Sequence, residues 1–532
     1  MATQYLHTST RRTFLKQLGL GVAGFHLASA LPLPAWAIAP GGLLRSVPEA
    51  QGVASGGILD FLNTVEAGKL NLHSVMVLRH GHVVAEGWWA PYAPDLRHTL
   101  YSLSKSFTST AVGLAVAEGK LTVEDKVVAL FPDDLPATIG PNLAAMRVKD
   151  LLTMNTGHAQ DTTGKLYEHP ETTWVRTFLS LPVEHAPGTF FVYNSGATFM
   201  LSAMVQKLTS QTVLDYLKLR LFAPLGIEGA DWETNPQGIN TGGWGLRVRT
   251  EDIAKFGQLY LQKGVWQKKQ LLPKTWIAEA TSAQVPSKGG KRPAPQNDWL
   301  QGYGYQFWRC RNDAYRGDGA FGQYCVVLPG EDAVVAITSE TGDMQAILDA
   351  LWQHVLPALR GVGLSTSDPA PLRQKLAALA FPLPGGPTTS PLATQVSGKS
   401  YAVADNALGV TTCSFRFGPK TGEVSLRDAT GERTVTAGLG QWTGGKTRFS
   451  TGPLKIRPVF ENDPAPNPVA ASGVWADPNT FVMTWRFIET AHYDTLTCRF
   501  DGPAVQLSFR SSLSLLSNAP DKRPVLTGTW VA

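Results

Sequence analysis

Leu100-Tyr101-Ser102-Leu103-Ser104-Lys105-Ser106-Phe107 is the stretch on which the fold turns. Upstream of it, Ser74 to Arg79 and His82 to Gly87 are β-rich runs joined around His80-Gly81, a hairpin signal. Downstream, Phe107, Ala111, Leu114 and Ala115 recur at spacings of three and four until Gly119, which predicts a helix over Ser104 to Glu118. Ser102 and Lys105 thus stand where strands yield to a helix, three residues apart and on one helical face. A serine hydroxyl attacks only when a base takes its proton, and a lysine can do so only if burial or nearby positive charge lowers its pKa. The free N–H groups of a helix start favour a developing oxyanion. Alone, Ser-x-x-Lys arises by chance about once in a chain of this size, and an N-cap serine beside a solvated lysine explains it equally well.

Its company shifts that balance. Tyr101 to Thr108 resembles the nucleophile helix of the β-lactamase-like serine hydrolases, which include class C β-lactamases, DD-peptidases, carboxylesterases and 6-aminohexanoate-dimer hydrolases. The resemblance runs on, in the family's order, through Gly119-Lys120-Leu121, Leu151-Leu152-Thr153-Met154-Asn155-Thr156-Gly157, Pro187-Gly188-Thr189-Phe190, Pro224-Leu225-Gly226 and Tyr303-Gly304-Tyr305. It covers approximately residues 45 to 360, and colinearity over that length is far more specific than any one motif. It implies an α/β fold, an antiparallel sheet flanked by helices with a helical subdomain, and an acyl-enzyme chemistry without a cofactor.

The resemblance also implies roles. Tyr193-Asn194-Ser195 matches the family's Tyr-x-Asn loop, so Tyr193 would act as general base or proton shuttle, its phenol pKa lowered by the charge of Lys105. Ser195 stands where Asn is usual; a hydroxyl orients an amide substrate less fully. The third motif, normally Lys-Thr-Gly or His-x-Gly on a strand beside the nucleophile, is degenerate in Arg316-Gly317-Asp318-Gly319-Ala320. Gly319 takes the place of the motif's glycine, and the Ala320 N–H with the Ser102 N–H would form the oxyanion hole. Arg316 would either receive a substrate carboxylate or be a solvated turn residue. Trp174, Trp244 and Trp308 lie in segments expected to ring the pocket, with Trp244 the substrate-binding candidate, although a core role fits equally. His98, His158 and His169 lie near these motifs but lack metal-ligand spacing, which makes them surface or hydrogen-bonded core residues and leaves no metal site.

The rest of the chain reads as further parts. Residues 1–37 resemble a twin-arginine export signal: Thr10-Arg11-Arg12-Thr13-Phe14-Leu15-Lys16, an apolar run from Leu18 to Leu31 too short to span a bilayer, then Ala35-Trp36-Ala37. This predicts a periplasmic or secreted protein without a stable membrane anchor. Removing the leader would take the net charge from +5 to about +2, a balance that points to no nucleic-acid partner. Residues 38–362 form the hydrolase domain, with amphipathic helices predicted over Ala197 to Leu208 and Thr250 to Lys263. Strands are predicted over Tyr303 to Trp308, Gly322 to Leu328 and Ala333 to Ile337. Residues 363–398 are rich in proline and read as a linker with a short helical patch around Leu372 to Leu379. From Tyr401 onward apolar and polar residues alternate in short runs, so residues 399–532 are expected to form an antiparallel β-barrel or sandwich. In an oxidising compartment the four cysteines permit two disulfides, with Cys310–Cys325 and Cys413–Cys498 the favoured pairs and buried free thiols the alternative.

Two functions follow. One is a serine hydrolase acting on a small-molecule ester or amide, or on a cell-wall peptide, with carboxylesterase or small-amide hydrolase favoured over β-lactamase. The other is a cell-wall or carbohydrate binding protein built on a decayed hydrolase domain.

Overall fold

Leu72 to Leu78 is buried at every position, so this strand must be covered on both faces, and the alternation of its side chains shows by what. Met76 and Leu78 enter one core and Val75 and Val77 another, the period of two that a pleated strand imposes. The computed structural model describes residues 42–449 and 466–531; the export-signal expectation falls outside them. Among them, a seven-stranded sheet is built from β1 (Leu44–Arg45), β2 (Leu72–Arg79), β3 (His82–Trp88), β4 (Trp308–Arg309), β5 (Tyr315–Gly319), β6 (Gln323–Leu328) and β7 (Ala333–Ser339). Their order is β1-β3-β2-β7-β6-β5-β4. Only β1 runs parallel to its neighbour, and β2 and β7 pair through Val77 opposite Val335.

One face of the sheet is covered by α1 (Ser55–Ala67), whose Ile58, Phe61, Leu62 and Val65 fall on one helical stripe. The other is covered by α2 (Ser104–Ala117), α3 (Ser195–Thr209) and α4 (Thr250–Leu261), with shorter helices between α2 and α3. The three helices and the β2–β3 hairpin lie where the periodicity puts them. Tyr303 to Trp308 is not a continuous strand: Gln306 takes a positive φ of 64° and its amide turns inward to the Leu151 and Leu152 carbonyls, so only Trp308–Arg309 joins the sheet, while Tyr303 makes isolated bridges to Val285 and Trp308. The proline-rich stretch is no free tether. Pro369–Ala377 forms α5, capped by Asp368, and Leu372 is buried in the same core as α1.

Among residues 400–449 and 466–530, ten strands form one sheet that closes into a barrel: β8 (Ser400–Val403), β9 (Thr412–Phe417), β10 (Thr421–Asp428), β11 (Gly431–Leu439), β12 (Thr443–Thr447), β13 (Asn467–Asp477), β14 (Thr480–Phe487), β15 (Tyr493–Asp501), β16 (Ala504–Ser511) and β17 (Leu526–Trp530). Closure comes from Gly438 and Leu439 of β11 pairing with Ser472 and Gly473 of β13. The β14–β15 hairpin docks on the hydrolase body: the Thr99 N–H donates to the Glu489 carbonyl at 2.9 Å, and the Glu489 carboxylate receives Arg97 at 3.1 Å and Arg247 at 3.0 Å.

All four cysteines are free and buried, so neither favoured disulfide is present. Cys310 and Cys325 belong to the cores on opposite faces of the sheet, and a bond between them would have to cross it. Cys310 instead accepts from Arg316 at 3.0 Å, while the Cys325 thiol donates to the Ile253 carbonyl at 3.5 Å. Cys413 and Cys498 sit in the barrel core, where burial pushes the Cys413 thiol up to about 12. No helix among the described residues is long and apolar enough to cross a membrane.

Candidate active site

Ser102 lies in a single 3-10 turn, Tyr101–Leu103, between the short strand His98–Thr99 and α2. The turn is pinned by β5. Any Cβ at Gly319 would run into the Leu100 carbonyl oxygen, and one at Gly317 would lie 2.5 Å from both Leu103 and the Ser106 hydroxyl. Two glycines thus let a strand pass against the nucleophile turn, an approach no larger residue permits. α2 is buried from Ser104 through Ala115 although five of its residues are Ser or Thr. The Ser106 hydroxyl donates to the Gln306 carbonyl at 2.9 Å, Thr108 to the Gly242 carbonyl at 2.8 Å, and Ser104 accepts from the Leu246 N–H at 3.2 Å.

Lys105, only 1% exposed, is held at the centre of this arrangement. Its ammonium donates to the Ser102 hydroxyl at 3.1 Å, to the Ser195 hydroxyl at 2.9 Å and to the Gly243 carbonyl at 2.8 Å. All three partners are uncharged. Burial therefore dominates, bringing the lysine down to about 7 despite the opposing pull of the Asp161 and Asp318 carboxylates.

Tyr193 stacks on Trp308 with ring centroids 5.4 Å apart and meets Tyr303 edge-on at 6.3 Å. Its phenol lies beside the Ser102 hydroxyl, and the Lys105 nitrogen lies 4.8 Å from its ring centroid. The sequence reading expects its pKa lowered. The structure reverses that: burial first, and then the Asp318 charge, push the phenol up, so Tyr193 stands beside Ser102 as a neutral donor while the lowered pKa belongs to Lys105. Between Tyr193 and Ser195, Asn194 caps α3 by accepting from the Gly196 and Ala197 N–H groups at 3.0 and 3.3 Å. Ser195, partly exposed, keeps its hydroxyl on Lys105 and donates its N–H to Asp161 at 3.0 Å.

The third motif departs furthest from expectation. Arg316 is neither a carboxylate receiver nor a solvated turn residue: it is fully buried in β5, paired with Asp318 at 2.9 Å. It also donates to the Asp298 carbonyl at 2.9 Å and lies over the Trp299 ring at 4.4 Å. On a strand, residues two apart share a face, so Arg316 and Asp318 neutralise each other while Gly317 and Gly319 face the nucleophile turn. A guanidinium so deep, with its charge compensated, has none to offer a substrate. Gly319 is buried at the end of β5 and Ala320, exposed, begins the turn into β6.

Trp244 is also displaced from its expected role: it is buried with Trp174 and Tyr167, ring centroids 6.2 and 6.5 Å away, and only its neighbour Gly243 reaches Lys105. Trp308 alone of the three tryptophans touches Tyr193. His98 is buried and bonded to His73 at 3.0 Å, His158 is buried beside Thr156, and His169 lies exposed beside Glu171. No group of three or more His, Cys, Asp or Glu side chains among the described residues is placed to hold a metal ion. Sequence reasoning missed Asp161, Gly243 and Asp318. Asp161 carries no motif and Gly243 acts through its backbone, whereas Asp318 could have been found as the carboxylate two residues beyond Arg316 on a strand.

The Beta-lactamase family model matches residues 64–360. Among curated proteins, 6-aminohexanoate-dimer hydrolase of Paenarthrobacter ureafaciens is 25% identical over 291 residues, half of this chain and 72% of that protein. A protein of Salmonella agona (strain SL483) that bears the name of a D-alanyl-D-alanine carboxypeptidase is 24% identical, over 31% of this chain and 44% of its own length. Among solved structures, the octameric penicillin-binding protein homologue from Pyrococcus abyssi aligns with 87% of this chain and 97% of its own, at 13% identity and a TM-score of 0.45. With the family model spanning more than half the chain, from α1 to the last helices before α5, this protein belongs to the Beta-lactamase family of serine hydrolases.

Proposed function

We propose that the protein is an exported hydrolase that opens an ester or a small amide through an acyl-enzyme on Ser102, with Lys105 as base and Tyr193 as proton shuttle. The observation that carries this reading is the buried Lys105, brought to about 7 and 3.1 Å from the Ser102 hydroxyl. Neutral Lys105 takes the hydroxyl proton as the Ser102 oxygen bonds to the carbonyl carbon. The Ser102 and Ala320 N–H groups receive the oxyanion. As the tetrahedral species collapses, the Tyr193 phenol gives its proton to the leaving oxygen or nitrogen and recovers one from the Lys105 ammonium. Water then repeats the sequence in reverse, freeing the acid and restoring Ser102.

Burial of Arg316 supports substrates without a carboxylate next to the scissile bond. That favours esters and simple amides over β-lactams or D-Ala-D-Ala peptides, whose carboxylate would meet no free cation at the third motif. The test is covalent labelling of the full chain with a fluorophosphonate, read as a mass shift. One adduct per chain is expected, absent from Ser102→Ala, and turnover of short-chain esters should exceed that of nitrocefin. A chain that takes no adduct would return the binding-protein reading.

A further inference from the structure

His492 of the barrel reaches the nucleophile turn of the hydrolase body. The His492 Nε2 lies 2.7 Å from the phenol oxygen of Tyr101, the residue before Ser102. Its Nδ1 lies 2.8 Å from Glu340 at the end of β7; a carboxylate only accepts, so Nδ1–H donates and Nε2 is left to meet the phenol. The imidazole also packs edge-on against Phe321, the residue after Ala320, with centroids 4.9 Å apart, and the rings of Tyr101 and Phe321 meet edge-on at 5.3 Å. His492, Tyr101 and Glu340 are all buried.

Two of the residues it touches share a peculiarity. Tyr101 and Phe321 both adopt left-handed backbone, at φ 49° and 67°. For a bulky side chain that backbone is strained and persists only where the surroundings over-determine it. Tyr101 flanks Ser102 and Phe321 flanks Ala320, so each strained residue adjoins one of the two N–H groups assigned to the oxyanion hole. We infer that His492, supplied by the C-terminal barrel, is a positioning residue: through Tyr101 and Phe321 it fixes the separation and direction of the two oxyanion donors. The barrel is then part of the catalytic unit rather than an appendage. Glu340 orients the imidazole, and the Thr99–Glu489 backbone bond sets the hairpin against the strand that leads into the turn.

This rests on Ser102 as nucleophile, and the experiment separates the two claims. The full chain is labelled with a fluorophosphonate across a range of concentrations, giving a maximal labelling rate and a half-saturating concentration, with the folded fraction taken from near-ultraviolet circular dichroism. Donors held out of place act on the transition state and not on initial binding. His492→Ala and Tyr101→Phe should therefore each lower the maximal rate per folded molecule by about tenfold or more, with half-saturation changed less than about twofold. The double variant should fall no further than the worse single one, because both remove the same contact. His492→Gln, whose amide can still meet the phenol, should recover part of the rate. Should His492→Ala not fold, Tyr101→Phe, which deletes one oxygen atom and keeps the ring on Phe321, decides. Wild-type maximal rates in the folded variants, a loss confined to half-saturation, or multiplying losses in the double variant would overturn the clamp. Persistent labelling of Ser102→Ala would overturn the nucleophile itself.

Discussion

At the scale of single residues the site depends on which group can lose a proton near neutrality. Lys105 is brought to about 7 and Tyr193 is pushed up, so of the two the amine is the group that can take up a proton near neutrality, as the proposed mechanism requires. Its working form is the deprotonated one. Turnover at low substrate concentration should therefore fall about tenfold for each pH unit below 7 and level off above it, as a pH profile of kcat/KM for a simple ester will show. Tyr193→Phe should lower ester turnover by about two to four orders of magnitude with an unchanged melting temperature, since the ring packing on Trp308 survives and only the shuttle is lost. The closeness of Lys105 to Ser102 was legible because three residues on one helical face bring them together, whereas Tyr193 was reached only through the resemblance of its Tyr-x-Asn loop. The direction of the Tyr193 shift was not legible, since it depends on Asp318 and on surrounding rings that no motif specifies. Arg316 misled for a related reason: a cation in a degenerate motif looks available until a carboxylate two positions along the strand is seen to neutralise it.

Among the elements, β5 does most to shape the site and was the least visible. Arg316-Gly317-Asp318-Gly319 has neither β-branched residues nor alternation of apolar and polar positions, so nothing local marks a strand. It is extended because β6 pairs it residue for residue, Gly317 opposite Cys325 and Gly319 opposite Gln323. Gly319→Ala tests its contact with the turn directly. The added carbon has the Leu100 carbonyl in its way, and backbone cannot yield as a flexible side chain would. Labelling of Ser102 should drop by about a hundredfold or more, while far-ultraviolet circular dichroism keeps its native shape. α2, α3 and α4 announced themselves by apolar positions three and four apart, and β2, β6 and β7 by short apolar runs. α5 was only half visible, because proline in its first turn reads as linker until its apolar side is seen to have α1 to lie against.

For the molecule as a whole, burial of uncharged imidazoles sets a limit on the acid side. Burial lowers His98 and His158 to about 4 and holds His73 well below its usual value. The unfolded chain binds protons at these positions from about pH 6.5 downward while the native one does not, so stability present above 6.5 is lost as the pH falls toward 4. His98 and His158 each account for on the order of 1–3 kcal/mol of that loss by pH 4. Asp252, raised to about 6 by burial, acts in the opposite sense, as do Asp150 and Asp318, whose carboxyls burial also raises. The urea midpoint should decline from pH 7 to pH 4.5, and His98→Asn should blunt that decline. The barrel's fold class was legible in its alternating runs, whereas the hairpin that meets Tyr101 was not, because His492 stands about 390 residues from its partner with no signature between them. A similar distance governs the sheet itself. Val77 waits for Val335, so a nascent chain must carry an apolar ribbon uncovered while some 260 further residues are made. Spontaneous refolding from denaturant should be slow and prone to clumping as concentration rises, and a transport route that accepts only finished molecules would spare such a chain from crossing a membrane in that state.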